Sequence, residues 1–260
     1  MQQKLNPESE WFGFRRIRPG EKTGLVGEVF SSVAARYDVM NDLMSGGLHR
    51  LWKDRLVRMM NPKPGNILLD VAGGTGDIAL RCYKHSDGKA HITVCDLSPA
   101  MIEEGRGRAL DAGILGAAPS HQKNGLKWVT GNAEILPFPA RSIDIYCIAF
   151  GLRNVTHIDK ALKEAARVLK PGGRFYCLEF SPGVRRDIKP LYDRYCLGVL
   201  PWIGQFVTKD RGAYEYLAES IQKFPDQATL AKRIEATGLE KVKWTNMTGG
   251  IAVIHSAWKL

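Results

Sequence analysis

The stretch that decides the fold is Leu68-Leu69-Asp70-Val71-Ala72-Gly73-Gly74-Thr75-Gly76-Asp77. Apolar, β-prone residues run into a glycine-rich turn, and the residues after the turn continue with helical spacing to about residue 83. A strand that feeds a helix through such a turn lets the backbone approach a ligand and presents the free N–H groups of the helix start. A tight turn with no ligand has the same local pattern. Asp96 separates the two readings: it lies 20 residues beyond Gly76, at the end of the next apolar run, residues 91–96. A carboxylate at that place accepts from ribose hydroxyls. A ligand with a nucleoside part is therefore expected on Ala72, Gly73, Gly74, Thr75, Gly76 and Asp96.

Beyond this stretch, strands and helices alternate. A helix is expected at 99–112, strands at 126–130 and 143–150, a helix at 158–169, a Lys170-Pro171-Gly172-Gly173 turn and a strand at 174–180. This order predicts an α/β fold with a parallel sheet covered on both faces. Residues 1–20 read as a mobile lead-in with an aromatic-basic cluster of Trp11, Phe12, Phe14, Arg15, Arg16 and Arg18. Two amphipathic helices follow between 24 and 60, with Val26, Val29, Phe30 and Val33 and then Leu48, Leu51, Trp52, Leu56 and Met59 as their apolar positions, around a polar turn near 41–47. Residues 188–212 break the rhythm and read as inserted helices forming a lid. A helix at 226–237 and two runs, 241–247 and 251–258, joined by Thr248-Gly249-Gly250, predict a closing antiparallel hairpin. With no repeat or linker, one domain is expected: 1–60 covering the site, 66–182 as the core, 183–212 as the lid and 213–260 as the C-terminal helix and hairpin.

The 260 residues are 44% hydrophobic and 25% charged, and their short, interrupted apolar runs fall below the ~18 residues of a membrane span. The net charge of +10 suits an anionic partner without choosing among nucleic acid, lipid headgroups and phosphorylated metabolites. The five cysteines form no C-x-x-C pair, and buried free thiols are expected. Six dispersed histidines with no ligand spacing argue against a metal. Residues 1–10 are polar and include Glu8 and Glu10, so neither a secretory signal nor an attached transit peptide is expected.

Two ligand classes compete. Gly74-x-Gly76-x-x-Ala79 fits the dinucleotide fingerprint of NAD-dependent dehydrogenases. Asp70, an acidic residue just before the glycines, instead suits the ammonium of an amino acid, which S-adenosylmethionine has and NAD lacks. Asn132 and Ala133, after the third strand, sit where an adenine edge is read, and the helix, turn and strand of 168–174 also fit a class-I methyltransferase.

The sequence resembles a known family, the ubiquinone/menaquinone biosynthesis C-methyltransferases of the UbiE type, with their mitochondrial relatives. The resemblance runs from about Phe12 to Leu260. It rests on Val33-Ala34-Ala35-Arg36-Tyr37-Asp38-Val39-Met40-Asn41-Asp42-Leu43-Met44-Ser45, Leu48-His49-Arg50-Leu51-Trp52-Lys53, Ala72-Gly73-Gly74-Thr75-Gly76-Asp77, Phe150-Gly151-Leu152-Arg153-Asn154-Val155, Leu178-Glu179-Phe180-Ser181 and Tyr216-Leu217-Ala218-Glu219-Ser220-Ile221. It implies a class-I, Rossmann-like methyltransferase with a mostly parallel seven-stranded sheet. The implied cofactor is S-adenosyl-L-methionine, on Thr75, Asp96, Asn132 and Ala133. Many bacterial members carry a serine before the Phe-Gly-Leu-Arg-Asn run, where this chain has Ala149, so only the backbone is available there.

The implied reaction moves a methyl to a ring carbon of a prenylated benzoquinol (2-polyprenyl-6-methoxy-1,4-benzoquinol type) or of demethylmenaquinol. Ring carbon becomes nucleophilic when an adjacent hydroxyl loses its proton, so the site must stabilise a phenolate. Arg153 is the first choice for that role, against a plain ion pair with a nearby carboxylate. Asn154 orients a substrate oxygen or caps the next helix. Tyr37 shares the phenolic proton or is a core tyrosine, and His49 is a base or a capping residue. The apolar residues 191–207 are a place for a prenyl tail and, with the basic N-terminal cluster, for a membrane surface. The expected partners are the prenylated quinol, such a surface and a homodimer or quinone-synthesis complex, with no nucleic acid: no Asn/Asp-Pro-Pro-Tyr/Phe tetrapeptide occurs. The expected location is the cytoplasm, peripheral at the inner membrane, or its matrix side for an organelle protein. A cofactor-binding scaffold without turnover and an NAD-dependent dehydrogenase are the competing readings.

Overall fold

A computed structural model of the chain describes residues 10–18, 20–33, 42, 45–114, 126–195, 198 and 211–260. The central sheet is made of β3 (Ile67–Val71), β4 (His91–Asp96), β5 (Leu126–Thr130), β6 (Ile143–Ala149), β7 (Leu169–Phe180), β8 (Glu240–Met247) and β9 (Ala252–Trp258). Its spatial order is β5-β4-β3-β6-β7-β9-β8. The pairs from β5 to β7 are parallel, and β9 runs antiparallel between β7 and β8. The chain therefore starts in the middle, works outward through β4 and β5, and returns to β6 on the other side of β3. Ligands of such sheets bind at this reversal, beyond the carboxyl ends of the strands.

The middle strands are apolar on both sides because both faces are covered. On one face α2 (His49–Met60), α3 (Asp77–His85) and α4 (Pro99–Asp111) bring Trp52, Leu56, Met60, Ile78, Cys82 and Ile102 against Leu68, Ile145 and Cys147. On the other, α5 (Ile158–Val168) and α8 (Gln227–Glu235) set Leu162, Ala165, Leu230 and Ile234 against Leu69, Val71 and Ile148. Helix starts follow local chemistry. Ser98 caps α4 by accepting from the Met101 N–H, with Pro99 at the first helical position, and Asp226 caps α8 by accepting from the Thr229 N–H. Cys82, Cys95, Cys147 and Cys177 are buried free thiols, and Cys196 lies outside the described residues.

Several expectations change. The lead-in contains a hairpin, β1 (Glu10–Phe12) with β2 (Arg15–Ile17), followed by α1 (Glu21–Val33). The buried face of α2 is His49, Trp52, Lys53, Leu56, Val57 and Met60, while Leu51 is 62% exposed. The stripe is turned from the expected one because two polar residues belong to it: His49 Nε2 meets Asp42 Oδ1 at 2.8 Å, and Lys53 Nζ donates to Asp77 Oδ2 at 2.7 Å. The Lys170–Gly173 turn lies within the span of β7, tied to the C-terminus by the Lys259 N–H to the Gly173 carbonyl at 2.9 Å. A helix not expected, α7 (Arg211–Lys223), follows α6 (Lys189–Arg194) in the described chain. Most of the presumed tail-binding segment, 191–207, lies outside the described residues. No helix among the described residues is long and apolar enough to cross a membrane.

Candidate active site

A cavity of about 360 Å³ opens where the carboxyl ends of β3, β4, β5 and β6 meet. Its floor is Ala72 and Gly74 after β3, Asp96 to Ser98 after β4, Gly131 to Glu134 after β5, and Phe150 and Gly151 after β6. Asp96 is held by its surroundings: Oδ2 accepts from the Gly74 N–H at 2.8 Å and Oδ1 from the Ser98 N–H at 2.9 Å. Each oxygen keeps a lone pair for a ligand hydroxyl. Burial raises the Asp96 carboxyl above its ordinary value, with these amides opposing. Asn132 Oδ1 accepts from the Glu134 N–H at 2.9 Å, which fixes the turn carrying Ala133.

Two residues at this floor have left-handed backbones, Ala72 with φ 49° and Phe150 with φ 56°. They end adjacent parallel strands, and Gly151 packs so close that a Cβ on it would lie 2.5 Å from the Ala72 Cβ. Such conformations cost about 1–3 kcal/mol each and persist where surrounding structure enforces them.

Of the expected cofactor residues, Ala72, Gly74, Asp96, Asn132 and Ala133 line the cavity, whereas Asp70, Gly73, Thr75, Gly76 and Ala149 are not on its described wall. Thr75 is buried and its Oγ1 accepts from Arg108 Nη1 at 3.3 Å, on the α4 side. Gly76 starts α3 beneath the Trp128 ring. Asp70 lies behind the turn, where a Cβ on Gly73 would be 3.0 Å from its Cγ. Asp70, expected from the sequence to reach a ligand ammonium, thus lies one backbone layer behind the cavity lining. The Asp70 carboxyl is fully buried, and neither oxygen has a hydrogen-bond partner. Burial pushes it up to about 7. An unpaired acidic group this close to the cavity suits a cationic ligand.

The roof comes from α1. Thr23, Gly24, Val26 and Gly27 face the cavity, Lys22 Nζ donates to the Val155 carbonyl at 2.9 Å, and the Thr23 and Thr156 hydroxyls are 3.3 Å apart. The remaining wall is Asn154, Val155 and Thr156, after the short 3-10 turn Leu152–Asn154. Asn154 is therefore placed at the cavity and does not cap the next helix, whose cap position is His157.

Arg153 is placed differently from its expected phenolate contact. Its Nη1 donates to Glu179 Oε1 at 2.6 Å and to the Phe150 carbonyl at 2.7 Å, and both side chains are almost wholly buried. The Arg153 and Phe180 N–H groups also donate to Glu179, and burial raises the Glu179 carboxyl while Arg153 opposes the shift. The described structure thus realises the ion-pair alternative, and the pair pins the turn that carries Asn154. Glu179 was missed as a functional residue, although a glutamate in the apolar run of β7 was its signal. His49 is buried, paired with Asp42 and not on the cavity's described wall, and burial lowers its ring below the ordinary value. Tyr37 lies outside the described residues.

The model of the ubiE/COQ5 methyltransferase family matches residues 18–259. The chain is 52% identical over 254 residues to the ubiquinone/menaquinone biosynthesis C-methyltransferase UbiE of Paracoccus denitrificans, covering 98% of each. It is 51% identical over 251 residues to the protein of the same name from Brucella suis, covering 96% of this chain and 90% of that one. Among solved structures it is similar to a SAM-dependent methyltransferase from Thermotoga maritima, with a TM-score of 0.60 at 17% identity over 90% of this chain and all of that one, a likeness of fold.

Two stability effects follow from the site. Arg153→Ala leaves Glu179 buried without its partner and is expected to cost about 3–5 kcal/mol in urea unfolding; a loss under about 1 kcal/mol would remove the pair from its pinning role. Asp70 has a folded value above the unfolded one, so its ionisation opposes folding as pH rises from about 4 to about 7. Asp70→Asn should therefore raise the melting temperature of the ligand-free protein by an amount that grows across that window and levels off above it. A gain independent of pH would contradict the assignment.

Proposed function

The chain belongs to the ubiE/COQ5 methyltransferase family, and from that premise we propose how its residues carry out the family's reaction. It is an S-adenosyl-L-methionine-dependent C-methyltransferase of ubiquinone/menaquinone biosynthesis, and its other substrate is a prenylated quinol. Bound S-adenosylmethionine supplies an electrophilic methyl on a sulfonium.

The observation that carries the assignment of roles is the Asp96 carboxylate, fixed at the cavity floor by two backbone amides with lone pairs to spare. Asp96 holds the ribose hydroxyls, and the Gly131 to Glu134 turn receives the adenine. The unpaired Asp70, behind Gly73, contributes negative charge to the cationic end without touching it. The cavity volume of about 360 Å³ falls within the range of small-molecule sites, ~300–1,000 Å³.

On the acceptor side, Asn154 holds the ring oxygen whose lost proton makes the neighbouring carbon nucleophilic. Val26, Phe150 and Val155 keep water away, which strengthens each polar contact made there. Tyr37, four residues beyond α1 in sequence, shares the phenolic proton. Arg153 acts through the turn, holding Asn154 in place, as a positioning residue. The protein also touches an anionic membrane surface through its N-terminal hairpin, where Trp11 and Phe14 are 43% and 48% exposed beside Arg15, Arg16 and Arg18.

The test of the reaction is mass spectrometry of deuterated methyl transfer from labelled S-adenosylmethionine to reduced short-chain prenyl benzoquinol and naphthoquinol. Label on ring carbon is expected, and cofactor binding with no transfer to either ring would favour the scaffold reading. For the surface, the full chain should float with anionic liposomes at low salt and be released by high salt; no co-migration at low salt would sink that contact.

A further inference from the structure

The N-terminal hairpin is gripped by one face of α7. Tyr216, Glu219 and Lys223 are spaced three and four residues apart and so share that face. The Phe12 ring stacks on Tyr216 with centroids 4.0 Å apart and planes 13° from parallel. Glu219 Oε2 accepts from the Phe14 N–H at 2.8 Å. Lys223 Nζ lies over the Trp11 ring at 4.1 Å and the Phe14 ring at 5.7 Å. Three of the four hairpin positions 11–14, Trp11, Phe12 and Phe14, are thus fixed by three side chains of a helix some 200 residues away, a separation of 205 for the Phe14–Glu219 bond.

The same tyrosine reaches the active site. Its hydroxyl donates to Asn154 Oδ1 at 3.1 Å, while Asn154 Nδ2 faces the Phe150 carbonyl at 3.4 Å. A backbone carbonyl only accepts, so the nitrogen of the amide must face Phe150 and its oxygen must face Tyr216. Burial pushes the Tyr216 phenol well above its ordinary value, which keeps it a proton donor. An amide nitrogen has two hydrogens. Phe150 takes one, and the second is left for a ligand in the cavity that Asn154 lines. Turned over, the amide would offer its oxygen to an electron-rich acceptor oxygen and repel it.

We propose that Tyr216, and through it Phe12 of the N-terminal hairpin, are positioning residues for the methyl acceptor: they hold the Asn154 amide with its N–H available to the acceptor oxygen. This rests on the reading that Asn154 binds that oxygen. The hairpin then belongs to the acceptor site although none of its side chains lines the cavity.

The test compares Tyr216→Phe, Phe12→Leu, their double variant and Asn154→Ala in the full chain. Four quantities are read: kcat and KM for a short-chain prenyl quinol, the S-adenosylmethionine dissociation constant by calorimetry, and the melting temperature. Tyr216→Phe keeps the ring stack and loses only the hydroxyl. It is expected to lower kcat/KM for the quinol about tenfold, the scale of one lost hydrogen bond, with cofactor affinity unchanged and the melting temperature lowered by no more than the loss of that one bond. Phe12→Leu should act in the same direction more weakly, and the double variant should be no worse than Tyr216→Phe alone, because both act through one amide. A fall in melting temperature and cofactor affinity alongside activity would mark a merely structural role and overturn the proposal. Unchanged kcat/KM in Tyr216→Phe, with Asn154→Ala impaired, would overturn it while leaving the acceptor reading intact. Full activity in Asn154→Ala would overturn both.

Discussion

The active site depends on an ion pair sealed from water, Arg153 with Glu179. Taking two charges out of water costs several kcal/mol each, and the pair is tolerable only if its polar atoms are used. Glu179 meets that condition with Oε1 taking Arg153 Nη1 and the Phe180 N–H, and Oε2 taking the Arg153 N–H. Arg153 Nη1 also donates to the Phe150 carbonyl. These bonds can form together only if the chain after β6 makes one particular turn. Left-handed Phe150, Gly151 against Ala72, and Asn154 at the cavity are consequences of that turn.

The cofactor half trades ligand-free stability for a prepared site. Ala72 is strained in the turn that faces the cavity, and Asp70, in β3 behind that turn, is a buried carboxyl with neither oxygen hydrogen-bonded. Compensation sits behind them. Lys53 of α2 donates to Asp77, and Arg81 of α3 reaches both Asp77 and Asp54, so the helices covering that face are tied by charges in a partly buried setting. Asp77 is held in its ionised form, lowered by Lys53 and Arg81 against the effect of burial, whereas at Asp70 burial outweighs what Lys53 offers. Two aspartates seven residues apart thus have opposite environments, one used for structure and one left for a cation.

What the sequence revealed was what neighbouring residues decide. β4 and β5 fall where the apolar runs placed them, and α4 begins at residue 99 as expected. Ala72, Gly74, Asp96, Asn132 and Ala133 were legible because strand ends at a chain reversal converge whatever the rest of the chain does. Elements fixed by distant partners were hidden. His49 and Lys53 interrupted the apolar stripe of α2 because their partners, Asp42 and Asp77, lie on other segments. The glycines of β7 read as a turn because the strand is completed by Lys259. α7 has Tyr214, Leu217, Ala218 and Ile221 on its buried side but no acidic residue in its first turn to announce it. The ties from Glu179 to Arg153 and from Tyr216 to Asn154 span 26 and 62 residues, beyond any local pattern.

The two halves of the cavity also differ in how firmly they are held. The floor is continuous with the sheet, so moving it would break β-ladder bonds and expose Leu69 and Val71, both buried in the core. Among the described side chains, the α1 roof is joined to the opposite wall through Lys22 to the Val155 carbonyl and the Thr23–Thr156 hydroxyl contact, with Val26 buried. A prenylated ring is too long to be enclosed in about 360 Å³ with its tail, so the acceptor must be admitted past one wall of the cavity. None of the described bonds to Asp96 or within the Arg153–Glu179 pair comes from α1. Its glycines, Gly24 and Gly27, present no side chain where the helix faces the ligand space. Asn154 stands at the boundary between floor and roof, pinned from the sheet side by the ion pair and from the α7 side by Tyr216.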